Sequence, residues 1–149
     1  MTDTSTNAVP TLVLSRIYDA PAERVFAAWT DPQIAAKFMG PGNVKATNIK
    51  MDVRVGGEYS ILMVLEDGET LRVGGVYREV QPPKRLSMTW RWEEDDPAEE
   101  YDTLLTLELF ERGEKTELVL THEQFAKLES RNNHEKGWTA ILDRLGRIL

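Results

Sequence analysis

Residues 85–92 read RLSMTWRW, and this short stretch sets the architecture of the chain. Its side chains alternate between apolar Leu86, Met88, Trp90 and Trp92 and polar Ser87, Thr89 and Arg91. A period of two places successive side chains on opposite faces of a β-strand. One face is therefore apolar and the other polar, which is typical of an antiparallel sheet with one face against a core.

The same period recurs on both sides of this stretch. Further strands are predicted at residues 11–18, 46–55, 59–65, 71–80, 102–110 and 116–122. Turn signals separate them, such as Asp67-Gly68, and the glycine pairs at 56–57 and 74–75 are expected where strands bend or bulge. In the first strand the apolar face is expected to carry Leu12, Leu14 and Ile17. Seven strands at hairpin spacing, without a β–α–β pattern, predict one antiparallel sheet.

Two short helices are predicted between the first two strands. Asp19 is placed to cap the first helix and Pro21 falls in its first turn, while Asp31-Pro32 repeats the start signal for the second. The inward-facing residues of the two helices are expected to be Val25, Phe26, Trp29, Ile34, Phe38 and Met39.

A long amphipathic helix is predicted at the C-terminus. Its apolar stripe comprises Trp138, Ile141, Leu142, Leu145, Ile148 and Leu149. Asn132 and Glu135 have the spacing of a capping box, so the helix is expected to begin near residue 132. His134 would then lie in the first turn, as a surface or interface residue. The predicted fold class is α+β.

The predicted sheet is wider than one helix, about 10–12 Å across, can cover. We expect the sheet to curl around the helix, with the short helices closing one end and an apolar pocket at the other. The alternative is that the aromatic side chains simply fill the core. The expected pocket residues are Trp29, Phe38, Met39, Tyr59, Met63, Trp90, Trp92, His122 and Trp138.

Length, charge and composition narrow the classes of function. The 149 residues suit one domain, expected at residues 11–149 after a disordered tail at 1–10. The net charge of −7 opposes binding to nucleic acid or to anionic membranes. The absence of cysteine excludes disulfides and thiol catalysis. No secretory signal or membrane-length apolar run is seen, so a soluble cytoplasmic protein is expected.

An ordered set of motifs resembles the START-like (SRPBCC) superfamily, and more closely the activator of Hsp90 ATPase homologue 1-like (AHSA1-like) family. The matching stretches are residues 19–32, Gly40-Pro41, residues 51–57, residues 75–86, Thr89-Trp90, Thr121-His122 and Gly137-Trp138. The resemblance implies a helix-grip fold, in which a seven-stranded sheet grips the last helix around a hydrophobic cavity. Phe38-Met39 stands where relatives often carry two tryptophans. Gly137 is interpreted as structural punctuation.

Few residues are candidates for catalysis or for binding a metal ion or a cofactor. His122 is the best single candidate for general acid–base catalysis, and the alternative is that it bonds a nearby backbone or carboxylate group. With two histidines and no HExxH pair, no metal site is expected. No cofactor motif is present, so no cofactor is expected. Asp52 and Arg54 are expected to form a surface ion pair.

Three functions remain open. The leading hypothesis is non-enzymatic binding of a small hydrophobic molecule in the cavity. The second is a protein-interaction module with Hsp90 as partner and a role in stress response, by analogy with the family's namesake, although the chain offers only one domain. The third is a cyclase- or aromatase-type enzyme that uses the same cavity. Exposed strand edges also allow a homodimer.

Overall fold

The computed structural model describes residues 10–149. The predicted tail, apart from Pro10, lies outside these described residues. The elements in chain order are β1 (Leu12–Tyr18), α1 (Ala22–Thr30), α2 (Pro32–Ala35), β2 (Lys45–Met51), β3 (Glu58–Val64), β4 (Thr70–Gln81), β5 (Arg85–Trp92), β6 (Thr103–Arg112), β7 (Lys115–Glu123) and α3 (Leu128–Ile148). The predicted order of strands and helices is confirmed.

All seven strands form one antiparallel sheet in the order β1-β7-β6-β5-β4-β3-β2. Consecutive strands are hairpin neighbours from β2 to β7, and β1 pairs with β7 because α1 and α2 carry the chain from one edge of the sheet to the other. α3 packs its apolar stripe onto the sheet through Trp138, Ile141, Leu142 and Leu145, all buried. This curved sheet around a long C-terminal helix is the predicted α+β helix-grip fold.

The curvature has a visible cause in β4. A Cβ atom on Gly75 would lie 2.1 Å from the Thr89 carbonyl oxygen, so only glycine permits this close approach. At the same point side chains replace ladder bonds: the Tyr59 hydroxyl donates to the Thr89 carbonyl at 2.5 Å, and the Val76 amide donates to Thr89 Oγ1 at 2.8 Å. The register then shifts by one residue at Arg78. The ladder between β4 and β5 is therefore interrupted beside Gly75, and a one-residue bulge follows at Arg78.

Two local predictions near the N-terminus are wrong. Ile17 is 64% exposed, because the inward face of β1 runs through Leu12 and ends at Tyr18, whose hydroxyl donates to the Leu142 carbonyl at 2.8 Å. Asp19 does not cap α1, since Pro21 is the N-cap residue and makes no side-chain cap bond. The second start signal is confirmed, because the Asp31 carboxylate accepts from the Gln33 amide at 2.9 Å.

The predicted start of the last helix is also wrong. α3 begins at Leu128, one turn before Asn132, and the predicted capping box lies inside the helix. The side chains of Asn132 and Glu135 instead accept hydrogen bonds from Arg131, at Asn132 Oδ1 and Glu135 Oε1. Arg131 also donates to the Thr11 carbonyl at 3.0 Å, which ties the first turns of the helix to the entry of β1. The shift moves His134 from the first helical turn to the second.

Within residues 10–149, no helix combines the length and the apolar character that crossing a membrane requires.

Candidate functional site

A pocket opens between β5 and the N-terminal half of α3. Its volume is about 200 Å³, and it is lined by Pro41, Met63, Trp90, Trp92, Asn133, His134, Gly137, Trp138 and Ile141. A cavity of about 150 Å³ holds benzene, whereas drug-sized ligands use about 300–1,000 Å³. The pocket therefore suits a molecule of one or two rings.

One rim of this pocket is the segment after α2. Arg144 on α3 donates to the Gly40 carbonyl at 2.6 Å and also to the Gly42 carbonyl, so it holds Pro41 between them at the opening. A rim fastened to the helix keeps the opening at a defined width.

The structure brings four of the nine predicted pocket residues together at this opening: Met63, Trp90, Trp92 and Trp138. The other five are buried in the core with no more than 5% exposure, and they are Trp29, Phe38, Met39, Tyr59 and His122. Sequence reasoning missed the other five lining residues, which are Pro41, Asn133, His134, Gly137 and Ile141. Stepping the apolar stripe back by four positions from Trp138 leads to His134, so helical spacing carried a signal for it.

His122 joins three strands to α3. Trp138 Nε1 donates to His122 Nδ1 at 3.0 Å, so the imidazole proton sits on Nε2, which donates to Thr103 Oγ1 at 2.7 Å. The Thr103 hydroxyl donates in turn to the Trp90 carbonyl at 2.8 Å. The chain of bonds links the two large pocket walls, Trp138 and Trp90, through the core.

The same bonds remove His122 from acid–base chemistry. The side chain is fully buried, and both ring nitrogens are engaged. Burial, and to a lesser degree the neighbouring His134, lower the pKa of His122 to about 2. The predicted backbone or carboxylate partner is wrong, since the partners are an indole and a hydroxyl.

A second hydrogen-bonded pair of tryptophan and histidine, Trp92 and His134, closes one side of the pocket. Trp92 Nε1 donates to His134 Nε2 at 2.9 Å, and His134 Nδ1 donates to the Ser130 carbonyl at 2.7 Å. Burial lowers the pKa of His134, so the ring is held in the neutral form that accepts from Trp92. A smaller pocket of about 90 Å³ also has Trp90, Trp92 and His134 in its lining. The Trp92–His134 pair is therefore a partition between the two spaces.

Gly137 lies inside α3, so its interpretation as structural punctuation is wrong. A Cβ atom placed on it would meet no atom within 4 Å. By contrast, a Cβ on Gly146 of the same helix would lie 3.3 Å from Tyr18 Cε1, which gives that glycine a packing reason. Glycine inside a helix costs about 1 kcal/mol relative to alanine. At Gly137 the missing side chain leaves the pocket open.

Two indole donors near the site have no partner. Of the buried side-chain nitrogens and oxygens in the part of the chain that the structure describes, only Trp29 Nε1 and Trp90 Nε1 make no hydrogen bond. Both rings pack against Trp138, with ring centroids 6.0 and 5.0 Å away. Each unpaired buried donor destabilises a protein by about 1–3 kcal/mol. Such groups call for an explanation in a native structure.

A polar groove elsewhere contains two arginines that already have carboxylate partners. A groove of about 480 Å³ lies on the outer face of the sheet beside Gly74 and Gly75. There Arg91 pairs with Asp102 at 2.8 Å, and Arg72 lies 3.9 Å from Glu93. The predicted surface pair of Asp52 and Arg54 is confirmed at 2.9 Å. Among residues 10–149, no three histidine or carboxylate side chains are grouped so as to hold a metal ion.

Comparison with known proteins identifies the family. The family model described as "Activator of Hsp90 ATPase homolog 1-like protein" matches residues 19–149. The chain belongs to this family. The match covers both short helices, the six strands from β2 to β7 and α3, so every residue that lines the pocket lies within the family domain.

Solved structures of similar proteins agree with this Hsp90-activator-like assignment. A Chromobacterium violaceum protein is 29% identical with a TM-score of 0.85, and the alignment covers 93% of this chain and 95% of that one. The AHSA1 protein from Silicibacter pomeroyi is 26% identical with a TM-score of 0.82, over 93% and 96% of the two chains. CalU16 from Micromonospora echinospora is 28% identical with a TM-score of 0.68, over 92% and 74%. A search of curated proteins found no match.

Proposed function

We propose that this protein binds a small hydrophobic molecule of one or two rings in the pocket between β5 and α3. The observation that carries the proposal is Gly137, a glycine in the interior of α3 whose added Cβ would meet nothing. Alanine there would favour the helix by about 1 kcal/mol. A fold selected for stability alone has no use for this gap, whereas a ligand site does.

The walls of the pocket suit an apolar guest. Trp90, Trp92 and Trp138 contribute aromatic rings, and Met63 adds a flexible, polarizable side chain. Burying apolar surface stabilises a complex by about 25 cal/mol per Å² before the costs of association are subtracted. A ligand of one ring is therefore expected to bind weakly, and one of two rings more tightly.

Binding without catalysis is the form of the proposal that the geometry favours. His122 was the best sequence candidate for a base, but neither of its nitrogens is free and its pKa is about 2. His134 lines the pocket, but Trp92 and the Ser130 carbonyl engage both of its nitrogens.

A titration with naphthalene and indole tests the proposal. Binding would be followed by NMR of the isotope-labelled tryptophan indoles and by calorimetry. We expect both probes to shift the resonances of Trp90, Trp92 and Trp138, and Gly137→Leu to abolish the shifts because leucine fills the pocket.

Lys136→Leu is the matched control, since it places the same leucine at the neighbouring, exposed position of α3. This variant should bind as the wild type does. Probes that bind Gly137→Leu as well as wild type, or that leave all three indole resonances unmoved, would refute the proposal.

A further inference from the structure

We propose, building on the ligand-binding function above, that the ligand is an uncharged aromatic molecule with a hydrogen-bond acceptor oxygen, which accepts the free indole N–H of Trp90. The proposal rests on two observations: the pocket lining carries no charge, and the buried Trp90 donor has no partner.

The composition of the pocket lining is the reason to expect an uncharged ligand. Among residues 10–149, those that line the pocket include no lysine, arginine, aspartate or glutamate. His134 is the one titratable side chain there, and Trp92 and Ser130 hold it in its neutral tautomer. An ionised carboxylate that left water for this site would lose its hydration without gaining a counter-charge, which is strongly unfavourable. A neutral ligand avoids that penalty.

The indole nitrogen of Trp90 is the reason to expect a hydrogen-bond acceptor on the ligand. The residue is 3% exposed, it lines the pocket, and its Nε1 is one of two unpaired buried donors in the described chain. The indole group can only donate a hydrogen bond. An acceptor oxygen on the ligand would therefore give the nitrogen the partner that it lacks in the protein alone. The fold already bears the penalty of the unpaired donor, so pairing it adds fully to binding.

The ligand reaches this nitrogen by displacing a neighbour, because the atom is covered in the empty protein. Trp92 packs edge-on against Trp90 at 5.7 Å, is only half-buried, and has its indole nitrogen held by His134 alone. Movement of Trp92 would join the main pocket to the smaller space behind it. The joined volume comes close to the lower end of the range for ligand pockets, about 300 Å³.

Three probes of nearly equal shape separate these requirements. Acetophenone carries a neutral carbonyl acceptor, α-methylstyrene replaces the oxygen by a methylene group, and benzoate carries a charge. Their affinities would be measured by calorimetry for the wild type and for Trp90→Phe. The quantity compared is the ratio of acetophenone to α-methylstyrene affinity, since the ketone is better hydrated than the alkene in both titrations.

We expect this ratio to fall on the order of tenfold in Trp90→Phe, the size of a hydrogen bond to an otherwise unpaired donor. In the wild type, acetophenone but not α-methylstyrene should move the Trp90 indole proton resonance downfield, a measurement that needs no variant. Benzoate should bind at least tenfold more weakly than acetophenone.

The possible failures are distinct. The acceptor requirement would be overturned if acetophenone and α-methylstyrene both bind, Trp90→Phe leaves the ratio of their affinities unchanged, and the Trp90 indole proton does not move downfield. The hydrophobic site would then still stand. Benzoate that binds as tightly as acetophenone would overturn the requirement for neutrality. If none of the three binds, this inference falls, and the titration with naphthalene and indole decides separately whether the proposed function stands.

Discussion

Trp138 Nε1 donates a hydrogen bond to His122 Nδ1 across 3.0 Å inside the core, and this contact joins α3 to β7. Both side chains are at most 2% exposed. The bond sets the tautomer of His122, which lets Nε2 donate to Thr103. A residue that resembled a catalytic base in the sequence is thus a structural link between the helix and the sheet.

Replacing Trp138 by phenylalanine should destabilise the protein more than the same change at Trp29. Both indoles are buried, so the two substitutions remove similar apolar surface. Trp138→Phe also leaves His122 Nδ1 without its donor, whereas Trp29→Phe removes an N–H that had no partner. We expect a difference of about 1–3 kcal/mol in the free energy of unfolding, measured by urea denaturation. Equal losses would contradict the assigned bond.

Stability should fall with acidity below the ordinary pKa of histidine. The pKa of His122 is about 2 in the folded protein and about 6.5 in the unfolded chain, so below pH 6.5 only the unfolded chain takes up the proton. The contribution of neutral His122 to the free energy of unfolding is complete above pH 6.5. It is lost as the pH falls, by about 1.4 kcal/mol per pH unit. Urea denaturation between about pH 7.5 and 5 would measure it, before most carboxylates titrate.

His134 contributes with the same sign, since its pKa is also lowered. His134→Gln should therefore keep the part of the slope that belongs to His122. A free energy of unfolding that stays constant over this range would show that His122 is not held neutral.

Acid should release Trp92 from His134. Protonation puts a hydrogen on His134 Nε2, which then faces the Trp92 N–H, and the 2.9 Å bond between them is lost. Because burial lowers the pKa of His134, the midpoint should lie below 6.5. The Trp92 indole resonance followed against pH would report the release, and His134→Gln should remove the transition. The Trp138 resonance is the internal control, since its partner His122 stays neutral. A Trp92 transition with a midpoint at or above 6.5, or one that persists in His134→Gln, would count against the partition.

Gly137→Ala should stabilise the protein by about 1 kcal/mol, because alanine favours the helix and its methyl group meets open space. Gly146→Ala is the matched change in the same helix, but its methyl group would press on Tyr18 at 3.3 Å and should cancel the gain. Thermal denaturation would show a rise of a few degrees for the first variant only. A loss of stability in Gly137→Ala would mean that the gap is required by the fold.

Local patterns predicted the elements well and their ends poorly. Alternation located all seven strands, but in β1 it placed Ile17 on the wrong face, because Leu12, Leu14 and Ile17 do not share one phase of a two-residue period. The Asn132–Glu135 spacing suggested a helix start, yet α3 begins four residues earlier. There Arg131 gains a bond to Thr11, which lies 120 positions away and cannot be anticipated from a local motif.

The sequence by itself determined the antiparallel sheet, the apolar stripe of α3 and the apolar character of their interface, because periodicity depends on neighbours within a few residues. Only the tertiary structure decided which tryptophans line the pocket and which fill the core. Trp92 meets His134 across 42 positions and Trp138 meets His122 across 16, and the packing of α3 against the sheet brings each pair together. The open space beside Gly137 was settled in the same way, since a gap is defined by the atoms around it rather than by the residue that leaves it.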